Sequence, residues 1–153
     1  MPKVKIGELA PDFTLQDQEG HFISLSEFET KNHVVLFFYP KDFSPGCTKQ
    51  VCSFRDSYED FTDQGAIVIG VSNDNIESHK QFLDQHQLPF TLLSDPKGKV
   101  RALYGATKGF GLLPGRYTFL IDKNRIIQHI FTSEINMQKH IDEALRVLKE
   151  ISS

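Results

Sequence analysis

Apolar positions along this chain change rhythm several times, and each change marks an expected element. The alternation in Asp12–Leu15 and His21–Leu25 flanks the turn-forming Asp17-Gln18-Glu19-Gly20, so residues 10 to 27 are expected to form a hairpin that decorates the N-terminus. Polar, loop-like sequence leads on to His33. Val34–Tyr39 is then an unbroken apolar run, the pattern of a buried strand. A helix is expected over 45–62, a strand over 66–72 and a second helix over 75–86. A short strand at 91–95 and a short helix near Val100–Tyr104 follow. Two strands, Tyr117–Asp122 and Arg125–Thr132, are joined across Lys123-Asn124. In the closing helix Ile141, Leu145, Leu148 and Ile151 share one face at helical spacing. The glycine-rich stretch Thr107–Gly115 reads as a loop bordering the site discussed below.

A β, α, β, α order followed by a hairpin and a terminal helix is that of an α/β thioredoxin-like fold. The expectation is a central mixed sheet flanked by helices, with an N-terminal β-hairpin extension and an insertion near the middle. There is no internal repeat, low-complexity tract or interdomain linker. At 153 residues the chain has room for one real core, so residues 1–153 are expected to form a single domain.

Composition narrows the function classes. Lysine and arginine total 17 against 20 acidic residues, a net charge of −3, so no basic surplus points to nucleic acid or an anionic membrane. The longest apolar run falls far short of the roughly 20 residues that cross a bilayer, and the first residues lack the apolar core of a signal peptide. Only two cysteines are present, Cys47 and Cys52, too few for a disulfide scaffold. Chemistry is their expected use. The histidines at 21, 33, 79, 86, 129 and 140 make no metal-ligand spacing with them.

Cys47 follows Tyr39-Pro40-Lys41-Asp42-Phe43-Ser44-Pro45-Gly46 at the carboxyl end of the first central strand, where α/β sheets place their ligand sites. Ser44-Pro45 is a helix-start signal, with the serine as N-cap and the proline at the first helical position. Cys47 then sits third in the helix, near unpaired N–H groups and the positive end of the helix dipole, both of which favour thiolate over thiol. A small apolar filler is the plainer reading of a helical cysteine. The stripe Cys47, Val51, Phe54, Tyr58, Phe61 turns Cys47 inward. Cys52 is five residues on, about 140° around the helix, which separates the two Cα atoms by roughly 8.7 Å. A disulfide needs less than about 7 Å, so if the two pair, the first turns must unwind. On spacing alone, Cys52 could equally be a spectator thiol on the outer side.

Pro40-x-x-x-Ser44-x-x-Cys47 resembles the peroxiredoxin active-site motif, with Ser44 in place of the commoner threonine. The stretch Phe38–Phe61, with its second cysteine five residues after the first, is similar to the peroxiredoxin Q or bacterioferritin comigratory group. Gly70–Phe82, Leu88–Asp95, Phe110–Asn124 and Lys139–Leu145 extend the likeness over nearly the whole chain. Leu113–Arg116 looks like the cyanobacterial and chloroplast branch. The resemblance implies that Cys47 is the peroxidatic cysteine and Cys52 the resolving one, and that Arg116 is the site arginine. Without it, Arg116 would pass for a solvated strand end. A permanent cation beside the thiol suits thiolate formation and can hold peroxide oxygens. Gln50 stands where many members of the group it resembles carry glutamate or glutamine, an exposed helix residue is at least as good a reading, and it stays outside the catalytic set.

The implied reaction is attack by Cys47 on a hydroperoxide held by Arg116, Ser44 and the Gly46 and Cys47 backbone N–H groups, with Pro40 shielding the thiolate. The resulting sulfenic acid condenses with Cys52, and thioredoxin or a similar dithiol reductant reopens the disulfide. This scheme calls for no metal or organic cofactor. A monomer is expected, in a bacterial cytoplasm or in an organelle after removal of a transit peptide. Two other readings stay open: a thiol–disulfide oxidoreductase, which usually carries C-x-x-C, and a non-catalytic redox sensor or chaperone.

Overall fold

In the computed structural model, which describes residues 3–109, 111 and 113–152, the apolar run near position 35 forms an interior strand of a seven-stranded sheet. The chain runs β1 (Thr14–Asp17), β2 (Phe22–Ser24), a 3-10 turn (Leu25–Phe28), β3 (His33–Phe38), α1 (Pro45–Asp56), α2 (Tyr58–Asp63) and β4 (Ala66–Ser72). Then come α3 (Ile76–His86), β5 (Thr91–Ser94), α4 (Lys99–Tyr104), β6 (Thr107–Lys108), β7 (Leu113–Pro114), β8 (Tyr117–Ile121), β9 (Ile127–Thr132) and α5 (Met137–Ser152). The sheet order is β2-β1-β5-β4-β3-β8-β9. Strands β3, β4 and β5 are parallel; on one side β8 runs antiparallel to β3, and β9 antiparallel to β8. This is the mixed thioredoxin-like sheet that the element order implies.

The unbroken apolar run of β3 has a simple cause: both of its faces are covered. Val35, Phe37 and Tyr39 pack beneath α1, α2, α3 and α5 with Val51, Phe54, Phe61, Phe82 and Leu148. Val34, Leu36 and Phe38 face the other layer, with Phe13, Leu25, Val100, Tyr104 and Phe119. Phe37 and Phe54 stack with ring centroids 4.3 Å apart.

Four expectations are refined. The N-terminal hairpin does not stand apart as a decoration: β1 pairs antiparallel with β5 (Gln16↔Ser94, Asp17↔Leu93) and covers what would be an open sheet edge. The helix expected over 45–62 breaks at Ser57 (φ −107°, ψ 10°) into α1 and α2. Its stripe survives the break, because Cys47, Val51, Phe54 and Phe61 are all fully buried and Tyr58 packs at their side. In α5 the buried face is Met137, His140, Ile141, Ala144, Val147 and Leu148, with Leu145 and Ile151 on its flank. The Thr107–Gly115 loop contains a short antiparallel ribbon, β6 with β7, while Phe110 and Leu112 lie outside the described residues.

Candidate active site

At the carboxyl end of β3 the chain leaves the sheet through Tyr39 and Pro40, crosses over Lys41-Asp42-Phe43-Ser44 and enters α1. Phe43 takes a left-handed conformation (φ 66°), which costs a side chain of its size of order 1–2 kcal/mol. Asp42 pins the loop from behind. Its buried carboxylate accepts from the Tyr39 hydroxyl at 2.6 Å and from Ser78 Oγ at 2.8 Å, and lies 2.7 Å from His79 Nδ1. The Asp42 N–H donates to Asp74 at 2.7 Å, and Ser72 Oγ donates to the same Asp74 oxygen at 2.6 Å. His79 Nε2 faces the Leu93 carbonyl at 3.0 Å, so that nitrogen carries a hydrogen. Burial, with the Asp42 charge adding to it, pushes the Tyr39 phenol well above its ordinary pKa and keeps it a donor. Asp42, Asp74 and His79 offer ligand atoms within 4.8 Å of one another, but those atoms are already engaged in hydrogen bonds.

Ser44 occupies the N-cap position with extended backbone (φ −70°, ψ 147°), and Pro45 opens the helix. Its hydroxyl departs from the expected role: it donates back to the Lys41 carbonyl at 3.0 Å, tightening the entry loop, and does not cap the helix. The first-turn N–H groups therefore stay clear of that side chain. Cys47, in that turn, is fully buried. Arg116 Nη1 donates to its Sγ at 2.9 Å and the Lys41 N–H approaches at 3.5 Å. The sulfur thus meets a permanent cation at the N-terminal end of α1.

Arg116 precedes β8 and is held at both backbone ends. Its N–H donates to Glu134 at 2.9 Å, and Thr132 Oγ1 donates to its carbonyl at 2.7 Å. Glu134 also lies 3.7 Å from Arg116 Nε and accepts from Lys108 at 3.2 Å. Gly46 is where the guanidinium passes closest to α1: a Cβ there would sit 2.7 Å from Arg116 Nη2. Pro40, half-buried, lies between the strand end and this loop. Cys47, Arg116, Gly46 and Ser44, far apart in sequence in the case of Arg116, are thus gathered at one end of α1.

Cys52 is half-buried in α1, and both thiols are free. The helix is continuous through both cysteines, which keeps their Cα atoms at roughly the 8.7 Å of ideal geometry. Their sulfurs cannot bond while α1 is intact.

Sequence reasoning missed several members of the site. Gln50, left outside the catalytic set with exposure as one of its two readings, is fully buried and accepts from Arg116 Nη1 at 3.1 Å, while its Nε2 has no partner among the described residues. Its spacing of three from Cys47 was the available signal. Asp42, His79 and Arg101 went unseen as well. Arg101, buried on α4, donates to the carbonyls of Tyr39, Ala106 (3.0 Å) and Gly115 (2.9 Å) and to Asn73 Oδ1 (3.2 Å). Burial pulls its pKa down to about 10, against the opposing charges of Asp95 and Cys47, so it stays a cation at neutral pH.

A family model described as the AhpC/TSA family matches residues 6–130. The chloroplastic peroxiredoxin Q of Sedum lineare is 51% identical over 150 residues, covering 97% of this chain and 80% of that protein. The chloroplastic peroxiredoxin Q of Arabidopsis thaliana is 53% identical over 148 residues, covering 96% of this chain and 68% of that one. Among solved structures, peroxidoxin BcpB from Mycobacterium tuberculosis superposes with a TM-score of 0.91 at 39% identity, over 98% of this chain and 99% of that chain. Peroxiredoxin Q from Xanthomonas campestris gives a TM-score of 0.86 at 25% identity, over 99% of both chains.

Proposed function

We propose how this chain works from one premise: it belongs to the AhpC/TSA family and is a thiol-dependent peroxidase. Cys47 is the peroxidatic nucleophile and Cys52 the resolving thiol. The observation that carries the reading is the Cys47 sulfur, wholly buried in the first turn of α1 with Arg116 Nη1 at 2.9 Å.

The Cys47 thiolate attacks one peroxide oxygen, the O–O bond breaks, and the departing alkoxide or hydroxide takes up a proton to leave as alcohol or water. Arg116 and the Gly46 and Cys47 N–H groups hold the two oxygens, Ser44 steadies the entry loop through the Lys41 carbonyl, and Pro40 limits water at the sulfur. Gln50 joins them by fixing the arginine. The product is a sulfenic acid on Cys47. The first turns of α1 then unwind, Cys52 attacks that sulfur, and the S–O bond breaks as the intramolecular disulfide forms and water departs. A thioredoxin-type dithiol restores both thiols. The pair lies within one chain, which suits a monomer. Of the two expected compartments, the chloroplastic relatives favour an organelle.

Stopped-flow reduction of hydroperoxide by the prereduced protein, with intact-mass detection, tests this scheme. One equivalent of peroxide is expected to remove two hydrogens from a single chain. Cys47→Ser is expected to abolish peroxide consumption. Cys52→Ser is expected to consume about one equivalent and stop with one added oxygen. Unchanged turnover of Cys47→Ser would overturn the assignment.

A further inference from the structure

Disulfide closure requires Cys52 as the anion, because the thiolate is the species that attacks sulfur. An unaided thiol ionises near pH about 8.5, so at neutral pH it is mostly protonated. The side chain that meets Cys52 is His86, the last residue of α3, whose Nδ1 lies 3.8 Å from Sγ. That is within reach of an S–H···N hydrogen bond.

His86 is held in place independently of Cys52. Arg55 Nη1 donates to its carbonyl at 2.9 Å, and the Phe82 ring meets the imidazole edge-on with centroids 5.1 Å apart. Both Cys52 and His86 are half-buried, so the pair is in contact with solvent while its inner side is apolar. Charged groups on the two elements are Arg55 and Asp56, paired at 3.0 Å, with exposed Lys49 on α1 and exposed Glu77, Lys80 and Asp84 on α3.

We propose that His86 is the general base of the resolving step. The inference rests on Cys52 being the resolving thiol and names the group that activates it. Nδ1 accepts the Cys52 proton while α1 is still wound. The helix then opens, and α3, which is outside the unwinding segment, keeps the imidazole in place. The Cys52 thiolate attacks the sulfur of the Cys47 sulfenic acid, the S–S bond forms as the S–O bond breaks, and the departing hydroxide takes a proton from the imidazolium or solvent to become water. The peroxide has already removed the two electrons, so no further oxidant is needed.

The test compares the full chain with His86→Gln, which keeps a polar side chain of similar reach but cannot take the proton. One equivalent of hydrogen peroxide is added and the decay of the oxygen-bearing form to the disulfide is followed by quenched flow and intact mass. Closure is expected to slow about fivefold at pH 7, with the difference vanishing by about pH 9.5, where thiols ionise unaided. A second measurement is made in Cys47→Ser, where Cys52 is the sole thiol: alkylation by iodoacetamide at pH 7 is expected to slow about fivefold when His86→Gln is added. Equal rates in both measurements overturn the role of His86, as does a deficit that persists unchanged at high pH. If Cys52→Ser still loses two hydrogens, the resolving assignment itself falls. If it stops as sulfenic acid while His86→Gln closes at the normal rate, only the role of His86 falls.

Discussion

A single atom position links the helix to the arginine. Gly46 leaves room for the Arg116 guanidinium, and a methyl group there would meet Nη2 at 2.7 Å. Backbone relief is blocked on the Arg116 side by Glu134 and Thr132, so the guanidinium must swing away from the sulfur. Gly46→Ala is therefore expected to lower the rate constant for Cys47 oxidation about tenfold or more, each tenfold being about 1.4 kcal/mol of transition-state stabilisation. Stopped-flow oxidation beside a thermal melt separates this from a folding defect, and an unchanged rate would show that the close approach is dispensable. At this scale the sequence was most legible where signals are local. Ser44-Pro45 and the stripe through Phe54 place Cys47 by themselves. Gln50 stayed ambiguous because a helix position three from Cys47 looks the same whether it meets solvent or an arginine 66 residues away.

Elements carry the next set of consequences, and α5 is the clearest case. His140 lies buried on its inner face, with Nδ1 2.8 Å from Thr118 Oγ1 on β8 and Nε2 2.9 Å from the Ser133 carbonyl. Burial holds its pKa below the usual histidine value, with the Ser133 carbonyl opposing and the Arg116 charge assisting. His33 shifts in the same direction, again chiefly through burial and then through Lys123. In the unfolded chain both take up protons near pH about 6.5, while the folded protein resists, so below that pH the unfolded state binds more protons. Stability present above the unfolded pKa is lost as pH falls through this range. The urea midpoint is expected to drop between pH 7.5 and 5.5, and His140→Gln, less stable at pH 7.5, is expected to show a flatter decline. A decline equally steep in both proteins would remove His140 as its source. Periodicity found α5 with a face of Ile141, Leu145, Leu148 and Ile151, of which Ile141 and Leu148 are fully buried and Leu145 and Ile151 lie at the flank. Counting apolar residues overlooks a histidine whose two nitrogens are satisfied inside, and with it the part of the buried face that runs through Met137, His140 and Ala144.

For the whole molecule, the active end of the sheet is tied together by one buried cation. Arg101 reaches the end of β3 through the Tyr39 carbonyl, the end of β4 through Asn73, and both sides of the β6–β7 ribbon through Ala106 and Gly115. Gly115 adjoins Arg116 and Tyr39 adjoins Pro40, so the same side chain is bonded beside both halves of the proposed site. None of this is written in a local pattern, because its partners lie 5, 14, 28 and 62 residues away. The docking of the N-terminal hairpin on β5 escaped sequence reasoning for the same reason: alternation predicts a strand but does not name its neighbour. Arg101→Met keeps the length and apolar stem but takes this donor from the Tyr39 and Gly115 carbonyls and leaves Ala106 with the Gly115 N–H. Breaking a buried charged contact of this kind costs about 3–5 kcal/mol, a large share of the roughly 5–15 kcal/mol that stabilises a domain. Urea unfolding of Arg101→Met is expected to show a loss in that range. Under conditions where the variant is still folded, Cys47 oxidation is expected to be slowed, because Tyr39-Pro40 and Arg116 lose their common support. A variant within about 1 kcal/mol of the parent and oxidised at the parent rate would mean that the sheet and the helix caps alone hold the site, and that Arg101 merely fills space between them.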